Sequence, residues 1–493
     1  MSEPKLSIED FIGHAEVKKC LADLELFIGN RPLVLSDVID EEGSQYVHLV
    51  QKGGGVLGVA LVGYTYILEQ MGVRFLKQAG TSAGAINTAL MTVIGNKQDA
   101  KSANVLQAIC DLEFFSLVDG HPVARWLIKR FLTDGKFMKK TRSWIIGIAG
   151  TLLFLVFSDI VLLGLQHKFD FLAFWTGLSF VLTGILTLFL FIAAVYFLTL
   201  LKRLKNAGYG INPGDYFYDW IKDQFIKNGV RTVSDLMIKA SAPVPGLKLR
   251  TPDHPEGLKD LEGSVSFITS ELSNKNKIQF PQMCDLFRKK EDIDKLQPAG
   301  FVRASMSIPI FFESYIINDI PCNEKEIKEA WVRWFNDDDP PSCARFVDGG
   351  ILSNFPLSLF YNPNIIIPRL PVFGIDLDDS GTGDKGKNAQ NWSLQGYFSR
   401  IFSTIQNHSD KEFLIRNKVY GKGVGRINVA GYDWLNFFMK NSDKQALFVA
   451  GAQAAVDFLK NFKWEEYKAE RAEMLKNQPP KIHGSAVAPP EMP

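Results

Sequence analysis

The sequence predicts an α/β catalytic domain that is interrupted by a pair of membrane-spanning helices. The helices are indicated by a mean hydropathy of zero in a 493-residue chain of which 22% is charged, because such an average requires one unusually apolar stretch. The α/β part is indicated by glycine-rich turns that follow apolar strand-like runs and open helical patterns. The net charge of +1 and the ordinary apolar content exclude a disordered chain and argue against a nucleic-acid-binding protein.

Residues 143–165 and 171–201 are each long enough to cross a bilayer, since about 20 apolar helical residues span a hydrocarbon core of about 30 Å. The second segment has no charged residue, and a short polar turn, residues 166–170, joins the two. We predict a transmembrane helical hairpin rather than two buried core helices, which usually carry a polar face. Asp159 in the first span is costly in lipid, so we expect it to face the other helix or a partner subunit.

Basic residues flank both spans, and they predict the orientation of the hairpin. The positive-inside rule places both flanks in the cytoplasm. We therefore expect an integral membrane protein with its catalytic domain and both termini cytoplasmic, as in a bacterial inner membrane. A homo-oligomer through the transmembrane helices is left open. The flanking residues are Lys136, Lys139, Lys140 and Arg142 before the first span and Lys202, Arg203 and Lys205 after the second.

A glycine cluster follows the first predicted strand, Tyr46 to Val50, and opens a helix that we expect to run through Met71. Backbone amides at a helix N-terminus hold an anion, which is either a nucleotide phosphate or the oxyanion of acyl transfer. The nucleotide interpretation needs a Lys and a Ser or Thr after the loop, or an acidic ribose partner, and the chain offers neither. The cluster is Gly53, Gly54, Gly55, Val56, Leu57 and Gly58.

The next predicted strand, residues 74–79, ends in the pattern G-x-S-x-G. This is the nucleophile elbow, a sharp strand-to-helix turn that exposes a serine at the start of a helix and requires small neighbours. The elbow makes Ser82 the candidate nucleophile. Its neighbours in the motif are Gly80, Thr81, Ala83 and Gly84.

A serine hydroxyl needs a base before it can attack. None of the seven histidines is an evident candidate, so a carboxylate that acts directly on the serine is the remaining choice. Asp348 ends an apolar run and is followed by Gly349 and Gly350, which leave room around the carboxylate. We expect Asp348 to accept the proton of Ser82.

At this point the sequence resembles the patatin-like phospholipase family, whose catalytic machinery is a Ser–Asp dyad. The resemblance covers roughly residues 45–137 and 208–460. It implies a three-layer α/β/α sandwich that hydrolyses acyl esters of membrane lipids, of phospholipase A or lysophospholipase type, without cofactor or metal. The matching segments are the glycine loop, G-x-S-x-G, Asp348-Gly349-Gly350, Arg303–Pro309, Asn354-Phe355-Pro356, Phe373–Asp376 and Gly210–Asp215.

The resemblance also implies roles for the residues of these motifs. Ser82 would attack the ester and Asp348 would accept its proton, while amides of the glycine loop would hold the oxyanion and an acyl-enzyme would form. The acidic clusters at residues 337–339 and 376–379 are interpreted as solvated turns and not as metal ligands. The predicted segments are an N-terminal extension (1–44), a hydrolase domain in two parts (45–137 and 208–462), the hairpin insertion (138–207), and a charged segment with a proline-rich, disordered tail (463–493).

One departure from the family pattern leaves alternatives open. The family usually carries Arg or Lys two residues after the third glycine of the loop, where this chain has Leu57. A catalytically weakened membrane scaffold is therefore one alternative. An acyltransferase or thioesterase that uses the same dyad is another, because all of these reactions pass through an acyl-enzyme.

Overall fold

The computed structural model describes residues 5–29, 33–123, 125–126, 130, 137–206, 208–252, 254, 257–378 and 394–476. The helices of this part are α1 (Glu9–Ile12), α2 (Ala15–Ile28), α3 (Gly58–Gln70), α4 (Ala83–Val93), α5 (Ser102–Asp111), α6 (Phe137–Gln166), α7 (Leu172–Asn206), α8 (Asp215–Lys227), α9 (Val233–Ser241), α10 (Lys290–Ile293), α11 (Ala299–Ser305), α12 (Lys325–Phe335), α13 (Leu394–Arg416), α14 (Asn441–Asn461) and α15 (Trp464–Lys476). The predicted disordered tail lies outside the described residues.

The strands form one mixed sheet. They are β1 (Val38–Ile39), β2 (Gln45–Gln51), β3 (Val73–Thr81), β4 (Lys248–Leu249), β5 (Ser264–Glu271), β6 (Asn276–Phe280), β7 (Tyr315–Ile317), β8 (Ala344–Asp348), β9 (Val372–Asp378) and β10 (Val424–Asn428). The main order is β10-β9-β2-β3-β5-β8-β7, with β6 paired to β5, and with β1 paired to β2 and β4. The first five strands of that order are parallel to one another. β8 runs antiparallel to β5, and β7 runs antiparallel to β8.

The central strands are buried on both faces, as is expected of parallel strands that helices cover on each side. Helices α3 and α14 approach each other through glycine. A Cβ at Gly63 would lie 2.1 Å from the carbonyl oxygen of Phe448, and a Cβ at Gly451 would lie 2.0 Å from that of Ala60. The predicted α/β class is confirmed, and so is the strand–glycine loop–helix order at β2 and α3.

The topology brings two loops to the same edge of the sheet. β2 and β3 are parallel neighbours, so the glycine loop after β2 and the turn after β3 both emerge at the carboxyl ends of their strands. In open α/β sheets this is the edge where ligands bind. The candidate oxyanion loop and Ser82 are therefore adjacent because of strand order alone.

The apolar residues from Leu447 to Phe462 recur at helical spacing and predict a helix, and α14 confirms it. Ser442 and Gln445 have the spacing of a capping box and predict one at the start of this helix, and that prediction is wrong. The cap position is Lys440, which makes no side-chain cap hydrogen bond. The Gln445 side chain donates instead to the backbone oxygen of Asp10, at 2.8 Å. The Gln445 side chain therefore forms a tertiary contact with the N-terminal segment and does not cap α14.

The chain divides into two compact units. One comprises residues 1–117, 214–309 and 314–493, and contains the sheet. The other comprises residues 118–213 and 310–313, and contains α6 and α7. In the second unit, residues 310–313 pair with the segment after α7 through backbone hydrogen bonds such as the one from the Asn212 amide to the Phe311 oxygen, at 3.0 Å.

Helices α6 and α7 are long and apolar enough, by length and composition, to cross a membrane. The apolar stretches run over Lys139–Gln166 and Leu172–Lys205, with only 6% of the most apolar window of each buried within the protein. At about 1.5 Å per residue both exceed a bilayer core of about 30 Å. Asp159 faces the other helix, as expected: the Thr183 hydroxyl donates to its carboxylate at 2.7 Å.

Candidate active site

Ser82 occupies a strained turn between β3 and α4. Its backbone has φ +52° and ψ −120°, a conformation that residues with a side chain rarely adopt. The turn is tight enough that a Cβ at Gly80 would lie 2.3 Å from the Gly84 oxygen, and a Cβ at Gly84 would lie 2.3 Å from the Gln51 oxygen. The small residues of the motif are therefore required sterically, and the strained backbone is the conformation that a nucleophile elbow needs.

Strand pairing brings Asp348 to Ser82. The last residue of β3, Thr81, pairs with Ile268 of β5, and the last residue of β8, Asp348, pairs with the next residue of β5, Thr269. β3 and β8 thus end at adjacent positions of one strand, although 267 residues of sequence separate them. The Ser82 side chain is thereby close enough to the Asp348 carboxylate to lower the pKa of that carboxyl.

The Asp348 carboxylate is buried and held by one further donor. The Gly350 amide donates to Asp348 Oδ1 at 2.7 Å. Burial raises the pKa of Asp348 to about 6, and the Ser82 side chain and the Gly350 amide oppose this rise. A Cβ at Gly349 would lie 2.1 Å from the Ile268 oxygen, so β5 passes too close for any larger residue there. The D-G-G pattern therefore serves close packing around a buried carboxyl.

The end of α11 and the residues that follow it contact both residues of this pair. Ser305 accepts a hydrogen bond from the Ser82 amide at 3.0 Å, and its hydroxyl donates to the Ile268 oxygen at 2.6 Å. The Ser307 oxygen accepts from the Asp348 amide at 2.8 Å. Two nearby residues of one segment thus fix the backbones of Ser82 and Asp348 relative to each other. The sequence indicated this segment only as a point of family resemblance.

The glycine loop lies beside Ser82, but its amides are not equivalent. The Gly53 amide donates to the Asn354 oxygen and the Val56 amide to the Trp434 oxygen, both at 3.1 Å. The Gly58 amide donates to the Gly55 oxygen. In the described part of the chain, the amides of Gly54 and Gly55 donate to no acceptor. Of the five residues predicted for an oxyanion site, these two retain amides that can receive a ligand oxygen.

Gly53 and Gly55 are each confined by their surroundings. A Cβ at Gly53 would lie 3.1 Å from the Ser82 Cβ, and one at Gly55 would lie 2.2 Å from the Trp434 oxygen. Gly55 also has φ +55°, which favours glycine. The loop is therefore built to lie directly against the elbow.

Leu57, where the family usually has a cation, is buried with 3% of its surface exposed. A cation is nevertheless present at the start of the loop. Lys52 Nζ donates to Asp376 Oδ1 at 2.7 Å and to the Leu377 oxygen at 3.0 Å. The acidic cluster that begins at Asp376 thus has an ion-pair partner at the end of β2.

Sequence reasoning missed Asp410, on α13. Its carboxylate accepts from the Ser353 hydroxyl at 2.9 Å and from the Phe355 amide at 2.7 Å. The Ser353 oxygen in turn accepts from the Thr81 hydroxyl at 3.0 Å, directly before Ser82. Burial raises the pKa of Asp410, opposed by these hydrogen bonds and by the charge of Lys277. No local motif marks Asp410, since the loop it holds lies more than 50 residues away in the sequence.

The remaining chemistry near the sheet is structural. His48 is buried in β2, where its Nδ1 accepts from the Lys77 amide at 3.3 Å, and burial keeps its pKa well below the ordinary value. Among the described residues there is no group of three or more His, Cys, Asp or Glu side chains arranged to hold a metal ion.

Comparison with known proteins identifies the family. The family profile described as patatin-like phospholipase matches residues 49–361, more than half of the chain and the part that contains both Ser82 and Asp348. The chain belongs to the patatin-like phospholipase family. Membership of this family supports lipid acyl hydrolase activity.

Two further proteins are similar to this patatin-like chain. An uncharacterized protein of Bacillus subtilis (strain 168), YqhO, is 25% identical over 417 residues, which cover 85% of this chain and 99% of YqhO. The crystal structure of VipD from Legionella pneumophila matches with a TM-score of 0.35 and 16% identity, over 87% of this chain and 70% of VipD.

Proposed function

We propose that this patatin-like protein is a membrane-anchored serine hydrolase that cleaves fatty-acyl esters of membrane lipids, as a phospholipase A or lysophospholipase does. The observation that carries the proposal is that β3 and β8 end at adjacent residues of β5, which brings Ser82 to the buried Asp348 carboxylate. The Ser82 side chain lowers the pKa of that carboxyl, so a nucleophile on a strained turn lies beside a base at the nearby end of β8.

In the proposed first half-reaction, Ser82 Oγ attacks the ester carbonyl carbon while its proton passes to the Asp348 carboxylate. The negative oxygen of the tetrahedral intermediate accepts hydrogen bonds from the Gly54 and Gly55 amides. The intermediate then breaks the bond to the alcohol, which leaves as the lysolipid or glycerol derivative and takes the proton from Asp348. The acyl group remains esterified to Ser82.

In the second half-reaction, Asp348 accepts a proton from water, and the resulting hydroxide attacks the acyl-enzyme. The bond to Ser82 Oγ breaks, the oxygen regains the proton from Asp348, and the fatty acid leaves. A base is most effective when its pKa lies near the working pH. The raised pKa of Asp348, about 6, meets this condition better than that of an ordinary exposed aspartate.

The membrane anchor is part of the same proposal. Ser82 precedes α6 and Asp348 follows α7, so the two side chains can meet only if the chain crosses the bilayer an even number of times between them. Two spans satisfy this requirement. The basic flanks place the catalytic unit on the cytoplasmic side, where the lipids of that leaflet are its substrates.

The dyad is tested with Ser82→Ala and a fluorophosphonate probe on the full-length protein. We expect the probe to label the natural protein and not the variant, and lipid-ester hydrolysis to fall to background in the variant. An unlabelled natural protein would support the inert scaffold that Leu57 suggests. Lipidomics of mixed membrane lipids, with water or an alcohol as acyl acceptor, separates a hydrolase from an acyltransferase. An acyl thioester offered as the substrate, with the thiol as leaving group and water as acceptor, tests for a thioesterase.

The anchor is tested by washing membranes with alkaline carbonate. We expect the protein to stay in the membrane pellet, because two long apolar helices hold it there. A variant that lacks residues 138–207 serves as the control and should move to the supernatant. Release of the natural protein by the same wash would contradict an integral anchor.

A further inference from the structure

A partly open cavity of about 240 Å³ lies at the end of α4 remote from Ser82. α4 begins directly after Ser82 and is 11 residues long, so about 16 Å separates its two ends. The cavity is therefore distinct from the catalytic centre. Its walls come from β3, the loop after α4, the start of α5, the start of β5, and the end of α9 with the loop that follows.

Three lysines line this cavity, which we term the lysine pocket: Lys97, Lys101 and Lys239. None of the residues that line it is acidic. Each ammonium donates to one backbone oxygen, from Lys97 to Ala242 at 2.7 Å, from Lys101 to Met91 at 2.9 Å and from Lys239 to Asn228 at 3.1 Å.

An ammonium group has three N–H donors, so each lysine retains donors beyond its carbonyl contact. In the part of the chain that the structure describes, none of the three forms an ion pair. Three cations that share one cavity without a paired anion are an expensive arrangement unless an anion enters.

The ionisation of these groups reflects that cost. The pKa of Lys101 is lowered to about 8 by burial and by the charges of Lys239 and Lys97, against the charges of Glu69 and Asp99. Burial also lowers the pKa of Lys97 to about 8, against the charge of Glu262. The Glu69 carboxylate is already engaged by the Lys101 and Ser102 amides, at 2.8 and 2.7 Å.

Two further features indicate a site rather than a packing defect. Gln78 is buried on β3, and its Oε1 has no hydrogen-bond partner among the described residues. Gly263 lies so close to Lys97 that a Cβ there would be 2.1 Å from Nζ. The Gln78 Oε1 is therefore a hydrogen-bond acceptor in the cavity wall that has no donor among the described residues. The missing side chain of Gly263 leaves the space that the Lys97 ammonium occupies.

We propose that the lysine pocket binds the phosphate group of a phosphomonoester. A dianion matches three ammonium groups better than the single charge of a carboxylate does. The unpartnered Gln78 oxygen accepts from a hydroxyl of the ligand. At roughly 30 Å³ per water molecule, the cavity has room for a phosphate and a few further atoms, which Leu76, Pro243 and Pro245 would contact.

A soluble phosphomonoester and the headgroup of phosphatidic acid share this chemistry, so the experiment includes both. Calorimetric titration of the full-length protein in detergent micelles uses inorganic phosphate and glycerol 3-phosphate as probes. Flotation with phosphatidylcholine vesicles, with and without phosphatidic acid, uses the protein in nanodiscs. The variants are Lys239→Gln and Gly263→Ala, with Lys239→Arg as the charge-preserving variant and Lys19→Gln, on the exposed face of α2, as the matched control.

We expect saturable binding of one phosphate or glycerol 3-phosphate per chain, weakened about tenfold or more by Lys239→Gln and retained by Lys239→Arg and Lys19→Gln. Gly263→Ala should also weaken binding, because the added Cβ displaces the Lys97 ammonium while the charge of the protein is unchanged. Flotation that requires both phosphatidic acid and Lys239 would assign the same site to a lipid headgroup. The proposal is overturned if no probe binds, or if folded Lys239→Gln binds as the natural protein does. Titration of Ser82→Ala keeps this result independent of the catalytic proposal.

Discussion

Two aspartates of this protein are buried almost equally, and their surroundings differ. Asp348 in the catalytic unit is 8% exposed, and Asp159 in the hairpin is 6% exposed. The first carboxylate receives a hydrogen bond from the Gly350 amide, and the Ser82 side chain lowers its pKa. The second receives one from Thr183, and its Oδ1 has no partner among the described residues.

The difference shows that burial alone does not give a carboxylate a role. Around Asp348, strand register and two close glycines fix the surroundings, so the carboxylate is held beside Ser82. Around Asp159, a single hydroxyl on a facing helix is the contact, and its effect is to link two helices. Asp410 is intermediate, because it holds a loop that touches the neighbours of Ser82 without touching Ser82 itself.

Replacing Asp348 should have the largest effect. We expect Asp348→Asn to lower kcat for lipid-ester hydrolysis by about 10²- to 10⁴-fold, the usual contribution of a general base. In the natural protein, kcat/KM should rise with pH through about pH 6, because the base acts when ionised and burial raises its pKa to about 6. Steady-state kinetics from pH 4.5 to 8.5 measure both effects.

The same substitution should stabilise the fold at neutral pH. A folded-state pKa of about 6, above the ordinary value of an exposed aspartate, means that the folded protein binds the proton more tightly than the unfolded chain does. Stability is therefore lost as pH rises from about 4 to 6, by up to about 3 kcal/mol. Asp348→Asn should regain this lost stability at pH 8, and should regain little of it at pH 4, where the natural carboxyl is already protonated. Asp338→Asn, in an exposed turn, is the control, and equal stability of Asp348→Asn and the natural protein at pH 8 would contradict the buried-carboxylate assignment.

The sequence predicts these parts of the molecule to different extents. The hairpin and the G-x-S-x-G turn follow from local rules, namely span length for the first and small neighbours of a sharp turn for the second. The contact from the Ser82 amide to Ser305 crosses 223 residues of sequence. The approach of Asp348 to Ser82 likewise depends on β3 and β8 ending at neighbouring residues of β5, which is a property of strand order that no local pattern expresses.

Replacing Asp410 should have an intermediate effect. Asp410→Asn loses one acceptor and places an amide opposite the donors of Ser353 or Phe355, so the loop beside Thr81 should shift. We expect kcat to fall about tenfold, with a smaller change in KM, because the group positions the site without contacting substrate. The pH midpoint near 6 should stay, since Asp348 is unchanged.

Glu412→Gln on the same helix is the matched control for Asp410→Asn. Glu412 contacts Arg416 and His408 on its own helix, and its loss should leave kcat unchanged. If Asp410→Asn shifted the pH midpoint by about one pH unit as well as lowering kcat about tenfold, Asp410 would take part in the proton transfer itself, and the positioning role would be wrong.

Replacing Asp159 should have the smallest effect, on the hairpin and not on the chemistry. A hydrogen bond between transmembrane helices contributes about 0.6 kcal/mol on average and at most about 1.7 kcal/mol. We expect a double-mutant cycle of Asp159→Leu and Thr183→Val to give a coupling energy in this range. It is measured by titrating the full-length protein with sodium dodecyl sulfate while energy transfer reports the distance between labels near Lys139 and Lys205.

The matched control is a second cycle in which Thr199→Val takes the place of Thr183→Val. The Thr199 hydroxyl donates to the Val195 oxygen of its own helix at 2.9 Å. Asp159→Leu and Thr199→Val should be additive, because no bond joins the two side chains. Equal coupling in both cycles would mean that Asp159 acts through the bilayer and not through Thr183. Asp159→Asn should keep most of the coupling, since an amide oxygen accepts from the same hydroxyl. The contrast with Asp348 would then be complete: in the hairpin the charge is dispensable and the acceptor is needed, whereas in the catalytic unit the proposed base requires the ionised carboxylate.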